Sequence, residues 1–207
     1  MGTLCRLEAV ESRASCYHAA MRSTIGELGA LEVQTPTGLP VRLGTLWADR
    51  PTIAVWLRHF GCQYCLEQVA VLSDAHPNFE AAGAQLLLIG NGSPEQAHRF
   101  QQLKAPTAIV VTDPERASYR ALGARRSPLS MFGRGMVQGW LAARRRGIKA
   151  EGLQGDVLQL GGTLVVDPPS TVLLAHVNSS PADHPSVEAL LAALSRARRV
   201  RDGVAVA

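Results

Sequence analysis

The sequence has few aromatic residues, few charges and few cysteines for a chain of 207 residues. Aromatic side chains make up 5% of it, charged side chains 18% and hydrophobic side chains 46%. This hydrophobic content excludes a disordered chain, because disordered segments have too little apolar surface to bury. Four cysteines are too few for a disulfide-stapled scaffold, so the fold must depend on a packed core.

Long hydrophobic runs are also missing. No stretch approaches the roughly 18 consecutive apolar residues of a transmembrane helix, so no membrane partner is predicted. Residues 1–20 lack even the apolar run of about seven residues that a secretory signal needs, and Glu8 and Glu11 interrupt them. We therefore predict a cytoplasmic, reducing location, where a close cysteine pair is typical of catalysis or metal binding.

The hydrophobic residues are arranged in alternating strand and helix patterns. Strands are predicted over residues 31–33, 41–43, 52–58, 84–90 and 107–112, and a β-hairpin over 158–177. Helices are predicted over residues 62–82, 93–104, 113–122 and 186–199. This order predicts an α/β fold in which a central mixed sheet carries helices on both faces, with the hairpin as an antiparallel edge.

Three parts are predicted along the chain: an N-terminal helical extension over residues 1–27, the α/β domain over 28–199 and a tail over 200–207. Residues 125–158 interrupt the alternation and form an arginine-rich insertion. The formal charge is −2 over residues 1–119 and +6 over residues 120–207. A solvated surface is the favoured interpretation of the insertion, and a site for an anionic substrate or partner is the alternative. No nucleic acid is predicted, because no aromatic residues alternate with the arginines.

The strongest chemical signal is Cys62-Gln-Tyr-Cys65, which lies between a buried strand and a long helix. Unpaired backbone N–H groups and the helix dipole lower a thiol pKa at the start of a helix. A second thiol one turn away can close a disulfide with the first. The motif therefore predicts two-cysteine redox chemistry without a cofactor.

Other interpretations of the cysteines stay open. His59, Cys62 and Cys65 could supply three ligands to a metal, with Cys5, Cys16 or His176 as a fourth, but no second CxxC or HxxxH motif is present. We predict no metal. Two inert buried thiols are the other alternative. Cys5 and Cys16 are interpreted as incidental thiols, with a regulatory disulfide as the alternative.

The sequence from Val55 to Val69 around the motif resembles the peroxiredoxin-like branch of the AhpC/TSA antioxidant family, in the thioredoxin superfamily. The segment from Gly155 to Asp167 is similar to a second signature of that branch, and so is the stretch from Asp113 to Gly123. The resemblance spans residues 28–195. It implies a thioredoxin-like fold and an antioxidant oxidoreductase that reduces a peroxide or disulfide substrate and is restored by an external thiol.

The sequence departs from the usual peroxiredoxin pattern, Pro-x-x-x-Thr-x-x-Cys, at this loop. When this pattern is aligned with the sequence, Arg58 stands at the position of the proline, Cys62 at that of the threonine and Cys65 at that of the peroxide-attacking cysteine. The arginine that peroxiredoxins use before a later strand is replaced by Gly161-Gly162-Thr163. Peroxiredoxin logic therefore assigns the attack to Cys65. We instead assign it to Cys62, which we expect to be more exposed and closer to the helix dipole.

The remaining candidate site residues surround this pair. Arg58 and His59 are predicted to stabilise a thiolate, and Tyr64 to contact substrate. Gly162 and Thr163 are also predicted to belong to the group of residues that contact substrate or stabilise the thiolate. Two other functions remain open: a non-redox biosynthetic reaction on an anionic substrate, and a non-enzymatic metal-binding or interaction module. A homodimer is also left open.

Overall fold

The structure is a computed structural model that describes residues 25–126, 144–147, 152 and 154–201. The strands are β1 Glu32–Gln34, β2 Pro40–Arg42, β3 Thr52–Trp56, β4 Gln85–Gly90, β5 Ile109–Thr112, β6 Gly162–Asp167 and β7 Thr171–Val177. The helices are α1 Gln63–Asp74, α2 His76–Ala81, α3 Pro94–Lys104, α4 Ala117–Leu122 and α5 Val187–Arg201. A helical turn over residues 25–30 and a short 3-10 helix, Leu43–Trp47, complete the described elements.

The seven strands form one open sheet in the order β2-β1-β5-β4-β3-β6-β7. Strand β4 is parallel to β3 and to β5, whereas β6 is antiparallel to β3 and pairs with β7 in the hairpin. The prediction of a mixed sheet with an antiparallel edge is therefore confirmed. Because β3, β4 and β5 are parallel, their carboxyl ends meet at one edge of the sheet, where ligand sites of α/β folds usually lie.

Successive residues of β3 contribute to hydrophobic cores on opposite faces of the sheet. Ile53 and Val55 pack in the core that includes α1, α3 and α5. Ala54 and Trp56 pack in the other core, with the 3-10 helix, α4 and the turn over residues 25–30. All five residues of β3 are buried, as expected of a strand covered on both faces. This confirms the predicted helices on both faces.

The single helix predicted over residues 62–82 is wrong, because the structure has two helices there. Helix α1 ends at Asp74, and α2 begins at His76 with Pro77 in its first turn. Proline has no backbone N–H and its ring clashes with the carbonyl four residues earlier, so it belongs at the start of a helix and not within one. Two helices separated by Ala75 therefore precede β4.

The helix predicted over residues 113–122 begins later than expected, at Ala117, because Arg116 adopts a left-handed conformation with φ 58°. Asp113 still caps it, since its carboxylate accepts a 2.7 Å hydrogen bond from the Ser118 N–H. The capping box predicted at Ser93 and Gln96 is confirmed at the start of α3.

The predicted boundaries at the two ends and in the insertion are largely outside the described residues. The N-terminal extension is described only over residues 25–27, which are helical. Within the insertion, Arg144 and Arg145 are helical, and residues 154–158 lead into the final hairpin. Helix α5 continues to Arg201, so the predicted tail boundary at residue 200 falls inside that helix. Among the described ranges, no helix is long and apolar enough to cross a bilayer.

Candidate active site

The CxxC motif lies at the carboxyl edge of the parallel strands, between β3 and α1. Cys62 is the residue that caps the start of α1, and Cys65 lies in its first turn. Both thiols are buried, with 4% of Cys62 and 1% of Cys65 exposed. Cys62 is the more exposed of the two, as expected, but the difference is too small to decide which cysteine attacks.

Electrostatics separates the two thiols. The pKa of Cys62 is lowered to about 6, first by the hydrogen bond from the Cys65 thiol and then, against burial, by the Arg58 charge and by the backbone amides of Cys65 and Tyr64. Burial raises the pKa of Cys65 well above its usual value, and its hydrogen bond to Cys62 raises it further. At neutral pH the negative charge therefore resides on Cys62, with the Cys65 thiol as its hydrogen-bond donor.

Arg58 contacts both cysteines from the loop that follows β3. Its Nη1 lies 3.4 Å from Cys62 Sγ, and its backbone N–H donates to Cys65 Sγ at 3.2 Å. Only 3% of Arg58 is exposed, which is rare for an arginine and requires partners for its charge and its N–H groups. The residue is thus part of the cysteine site and not a solvated charge at a strand end.

The partners of the Arg58 guanidinium come from residues 156–159, which we name the carbonyl arm. Nε donates to the Gln159 carbonyl at 3.2 Å, and Nη2 donates to the Val157 carbonyl. The arm is fixed at Asp156, whose carboxylate forms ion pairs with Arg116 and, at 2.8 Å, with Arg126 Nε. Neutral carbonyls thus orient the guanidinium without cancelling its charge at Cys62.

His59 lies next to the cysteines without supplying a positive charge. Burial, followed by the Arg58 charge, lowers the pKa of His59 to about 4. Its ring is therefore uncharged at neutral pH. Its Nδ1 is buried and has no hydrogen-bond partner among the described residues. Of the two residues predicted to stabilise a thiolate, the structure gives the necessary charge to Arg58 and not to His59.

The other predicted site residues lie near the motif with differing access. Tyr64 is half-buried in the first turn of α1, where burial and the Cys62 charge raise the pKa of its hydroxyl. Gly162 pairs with Trp56 at the start of β6, and Thr163 pairs with Val55. The Thr163 side chain is completely buried, which leaves it no open surface for a substrate. The proposed contact of Tyr64 with substrate stays a prediction.

The metal interpretation finds no support in the described part of the chain, where no group of three His, Cys, Asp or Glu residues has the geometry of a metal site. His176, one of the predicted fourth ligands, is paired with Asp183, with 3.0 Å between Nε2 and Oδ1. Cys5 and Cys16 lie outside the described residues.

The sequence predicted the cysteines and Arg58 but not the residues that hold Arg58 in place. Residues 156–158 of the carbonyl arm belong to the segment that was interpreted as an insertion, and Gln159 belongs to the predicted hairpin. Asn91 lies outside the cysteine motif, yet its side chain contacts the backbones of both Arg58 and Asp156. Its position directly after a buried strand, at the same sheet edge as Cys62, is the sequence signal that could have identified it.

Comparison with known proteins agrees with this geometry. The fold is that of the thioredoxin-like peroxiredoxins: peroxiredoxin Q from Xanthomonas campestris superposes with a TM-score of 0.60, at 19% identity, over 83% of this chain and 94% of its own. The family model for the AhpC/TSA antioxidant enzyme matches residues 71–180, which begin after Cys65. The chain belongs to the AhpC/TSA antioxidant family, as the resemblance in its sequence predicted.

Two curated relatives extend over most of the chain. Prostamide/prostaglandin F synthase from Salmo salar is 30% identical, covering 85% of this chain and 90% of its own length. Peroxiredoxin-like 2C from Bos taurus is 28% identical, covering 83% of this chain and 78% of its own length. These relatives place the chain among peroxiredoxin-like proteins with a thioredoxin fold.

Proposed function

We propose that the chain is a thiol-dependent oxidoreductase in which Cys62 attacks a peroxide or disulfide and Cys65 resolves the product. The observation that carries this proposal is the 3.4 Å contact between Arg58 Nη1 and Cys62 Sγ, on a sulfur that also accepts a hydrogen bond from the Cys65 thiol. A cation and a donor directed at one sulfur favour the thiolate, which is the nucleophilic form.

With a hydroperoxide, the Cys62 thiolate attacks the terminal oxygen and the O–O bond breaks. Cys62 becomes a sulfenic acid, and the departing alkoxide takes a proton from water to become an alcohol. The Cys65 sulfur then attacks Cys62, a disulfide forms, and the hydroxyl leaves as water with the Cys65 proton. Two molecules of an external thiol reduce the disulfide and are oxidised to their own disulfide, which suits a reducing, cytoplasmic location.

The burial of Cys62 favours small substrates. A cysteine residue that is 4% exposed admits a small peroxide or a low-molecular-weight disulfide more readily than the surface of a folded protein. Arg58 also supplies a positive charge in a site that lacks the arginine of other peroxiredoxins at Gly161-Gly162-Thr163. Peroxide is therefore the favoured substrate class. A homodimer stays a prediction.

Mass spectrometry of the reduced protein before and after one equivalent of hydrogen peroxide tests this proposal. A Cys5→Ser/Cys16→Ser background removes the two other cysteines and is the matched control. We expect a Cys62–Cys65 disulfide. In Cys65→Ser we expect a Cys62 sulfenate that a dione reagent captures, and in Cys62→Ser no oxidation by one equivalent. A sulfenate on Cys65 in Cys62→Ser, with Cys65→Ser unreactive, would reverse the two roles.

A second candidate is a biosynthetic reaction on an anionic, largely apolar substrate. It is favoured by a cavity of about 480 Å³ whose lining includes Leu122, Arg125, Leu160 and Val177. Leu160 directly follows the carbonyl arm, so this cavity lies beside the residues that hold Arg58. A non-redox reaction of this kind predicts turnover that survives in Cys65→Ser, whereas the proposed oxidoreductase loses turnover with either cysteine.

A further inference from the structure

Asn91 joins two separate parts of the candidate site. It follows β4 at the carboxyl edge of the sheet, and 5% of it is exposed. Its Nδ2 donates to the Arg58 carbonyl at 2.7 Å, and its Oδ1 accepts from the Asp156 N–H at 3.0 Å. One side chain thereby links the backbone of Arg58 to the first residue of the carbonyl arm, 65 residues from Asn91 along the chain.

The close approach between Asn91 and the carbonyl arm restricts the residue type at position 155, directly before the arm. Gly155 has φ +112°, and a Cβ atom built there would lie 1.9 Å from Asn91 Oδ1. Only glycine accommodates both the conformation and the contact. The backbone at residues 155–156 is thus shaped to receive the Asn91 side chain.

We propose that Asn91 is a positioning residue that holds the Arg58 backbone and the carbonyl arm at the spacing that directs the guanidinium to Cys62 Sγ. This inference rests on the proposed function, in which Arg58 stabilises the Cys62 thiolate. The physical reason is that an arginine side chain has many rotamers, and fixing one of them requires partners placed in advance. The Val157 and Gln159 carbonyls are such partners only while the arm stays beside Arg58.

The test is the pH dependence of Cys62 alkylation by iodoacetamide, followed by peptide mass spectrometry. In Asn91→Ala we expect the midpoint to rise by about one pH unit, so that alkylation is several-fold slower well below the midpoint. Above about pH 9 the thiolate is fully formed in both proteins, and the rate should no longer fall below that of the wild type. A general loss of structure would not restore wild-type rates at high pH.

Gln85→Ala is the matched control. Gln85 lies at the opposite end of β4, where its amide bridges the Leu46 carbonyl, at 2.6 Å, and the Thr52 hydroxyl, at 3.0 Å. It also joins separate segments but is remote from Arg58, so the midpoint should not move. If Asn91→Ala does not fold, Asn91→Ser is measured in the same way, with the same expected rise.

A double substitution distinguishes positioning from a direct effect. In an Arg58→Gln background, Asn91→Ala should cause no additional shift, because the guanidinium through which Asn91 acts is gone. An unchanged midpoint in folded Asn91→Ala, or an equal shift in both backgrounds, would overturn the inference. Alkylation requires no peroxide, so a wild type that forms no Cys62–Cys65 disulfide defeats the proposed function while leaving this result intact.

Discussion

At the scale of single residues, the environment of Arg58 departs from what its residue type predicts. Arginine is rarely buried, because its charge loses hydration. Here two backbone carbonyls and the Cys62 sulfur replace that hydration. The Arg58 side chain, at the position that aligns with the proline of the peroxiredoxin pattern, thus brings a positive charge to the cysteine pair.

Substitution of Cys65 should change the acidity of Cys62 according to the donor that remains. Cys65→Ala removes the hydrogen bond that contributes most to the lowered pKa of Cys62, so the alkylation midpoint of Cys62 should rise by one pH unit or more. Cys65→Ser keeps an O–H donor and should stay closer to the wild type. Equal midpoints in the two variants would show that the donor has no role.

The environment of Arg58 could not be predicted from the sequence. The position of Arg58 next to the motif was evident, but its carbonyl partners are 99 and 101 residues further along the chain. Backbone carbonyls carry no residue-type signature, so no motif reports them. The sequence predicted a lowered pKa for Cys62 from the helix dipole. It did not predict that the Cys65 hydrogen bond lowers the pKa of Cys62 further, because that bond depends on the side-chain geometry of the turn.

At the scale of elements, the helix boundaries that were predicted correctly are those marked by residues with a specific capping chemistry. Ser93, Pro94 and Gln96 predicted the start of α3, and the structure has the full capping box. The break between α1 and α2 has an equally local cause, Pro77. It was not predicted because the hydrophobic periodicity continues through it. Periodicity continues across a bend when both helices pack on the same core, as α1 and α2 do.

Gly155 and Gly83 form a matched pair for testing the carbonyl arm as an element. Both have positive φ, +112° and +74°, but a Cβ atom at Gly83 would meet nothing within 4 Å. Gly83→Ala should therefore cost only the backbone strain, about 1 kcal/mol of unfolding free energy. Gly155→Ala should cost more and should also raise the Cys62 alkylation midpoint, because its Cβ displaces Asn91. Denaturant unfolding and alkylation measure the two effects.

A selective result is expected from this pair. If Gly155→Ala lowers the free energy of unfolding but leaves the midpoint unchanged, the arm is a structural loop without influence on the thiols. A midpoint shift in Gly83→Ala would show that the alkylation assay reports general destabilisation.

At the scale of the whole molecule, the sequence predicted the layers of the fold more fully than the order of its strands. Strands with two apolar faces require helices on both sides, so the two cores followed from β3 and β4 alone. The insertion of β1 beside β5, on the opposite side of β4 from β3, could not be predicted. It depends on pairing between short segments such as β1, which is three residues long and has a single buried residue.

The free energy of unfolding of the reduced protein should rise with pH between 6 and 8. The folded-state pKa of Cys62, about 6, lies below the value of about 8.5 expected in the unfolded chain. A thiol with a depressed folded-state pKa stabilises the fold above its unfolded pKa, and this contribution is lost as pH falls through the folded-state value. The wild type should therefore gain about 2 kcal/mol over Cys62→Ala between pH 6 and pH 8.

His59 changes stability in the same direction but over a lower range of pH. The folded-state pKa of His59 and that of the buried His184 are both about 4, below the ordinary histidine value of 6.5, so their joint contribution is lost as pH falls from about 6.5 to 4. Urea unfolding at pH 5, 6 and 8, with a reductant present, separates Cys62 from these two histidines. Cys62→Ala should remove the rise between pH 6 and 8 and keep the fall below pH 6. A parallel pH dependence in wild type and Cys62→Ala would mean that Cys62 is not a thiolate in the folded protein, and the oxidoreductase mechanism would lose its nucleophile.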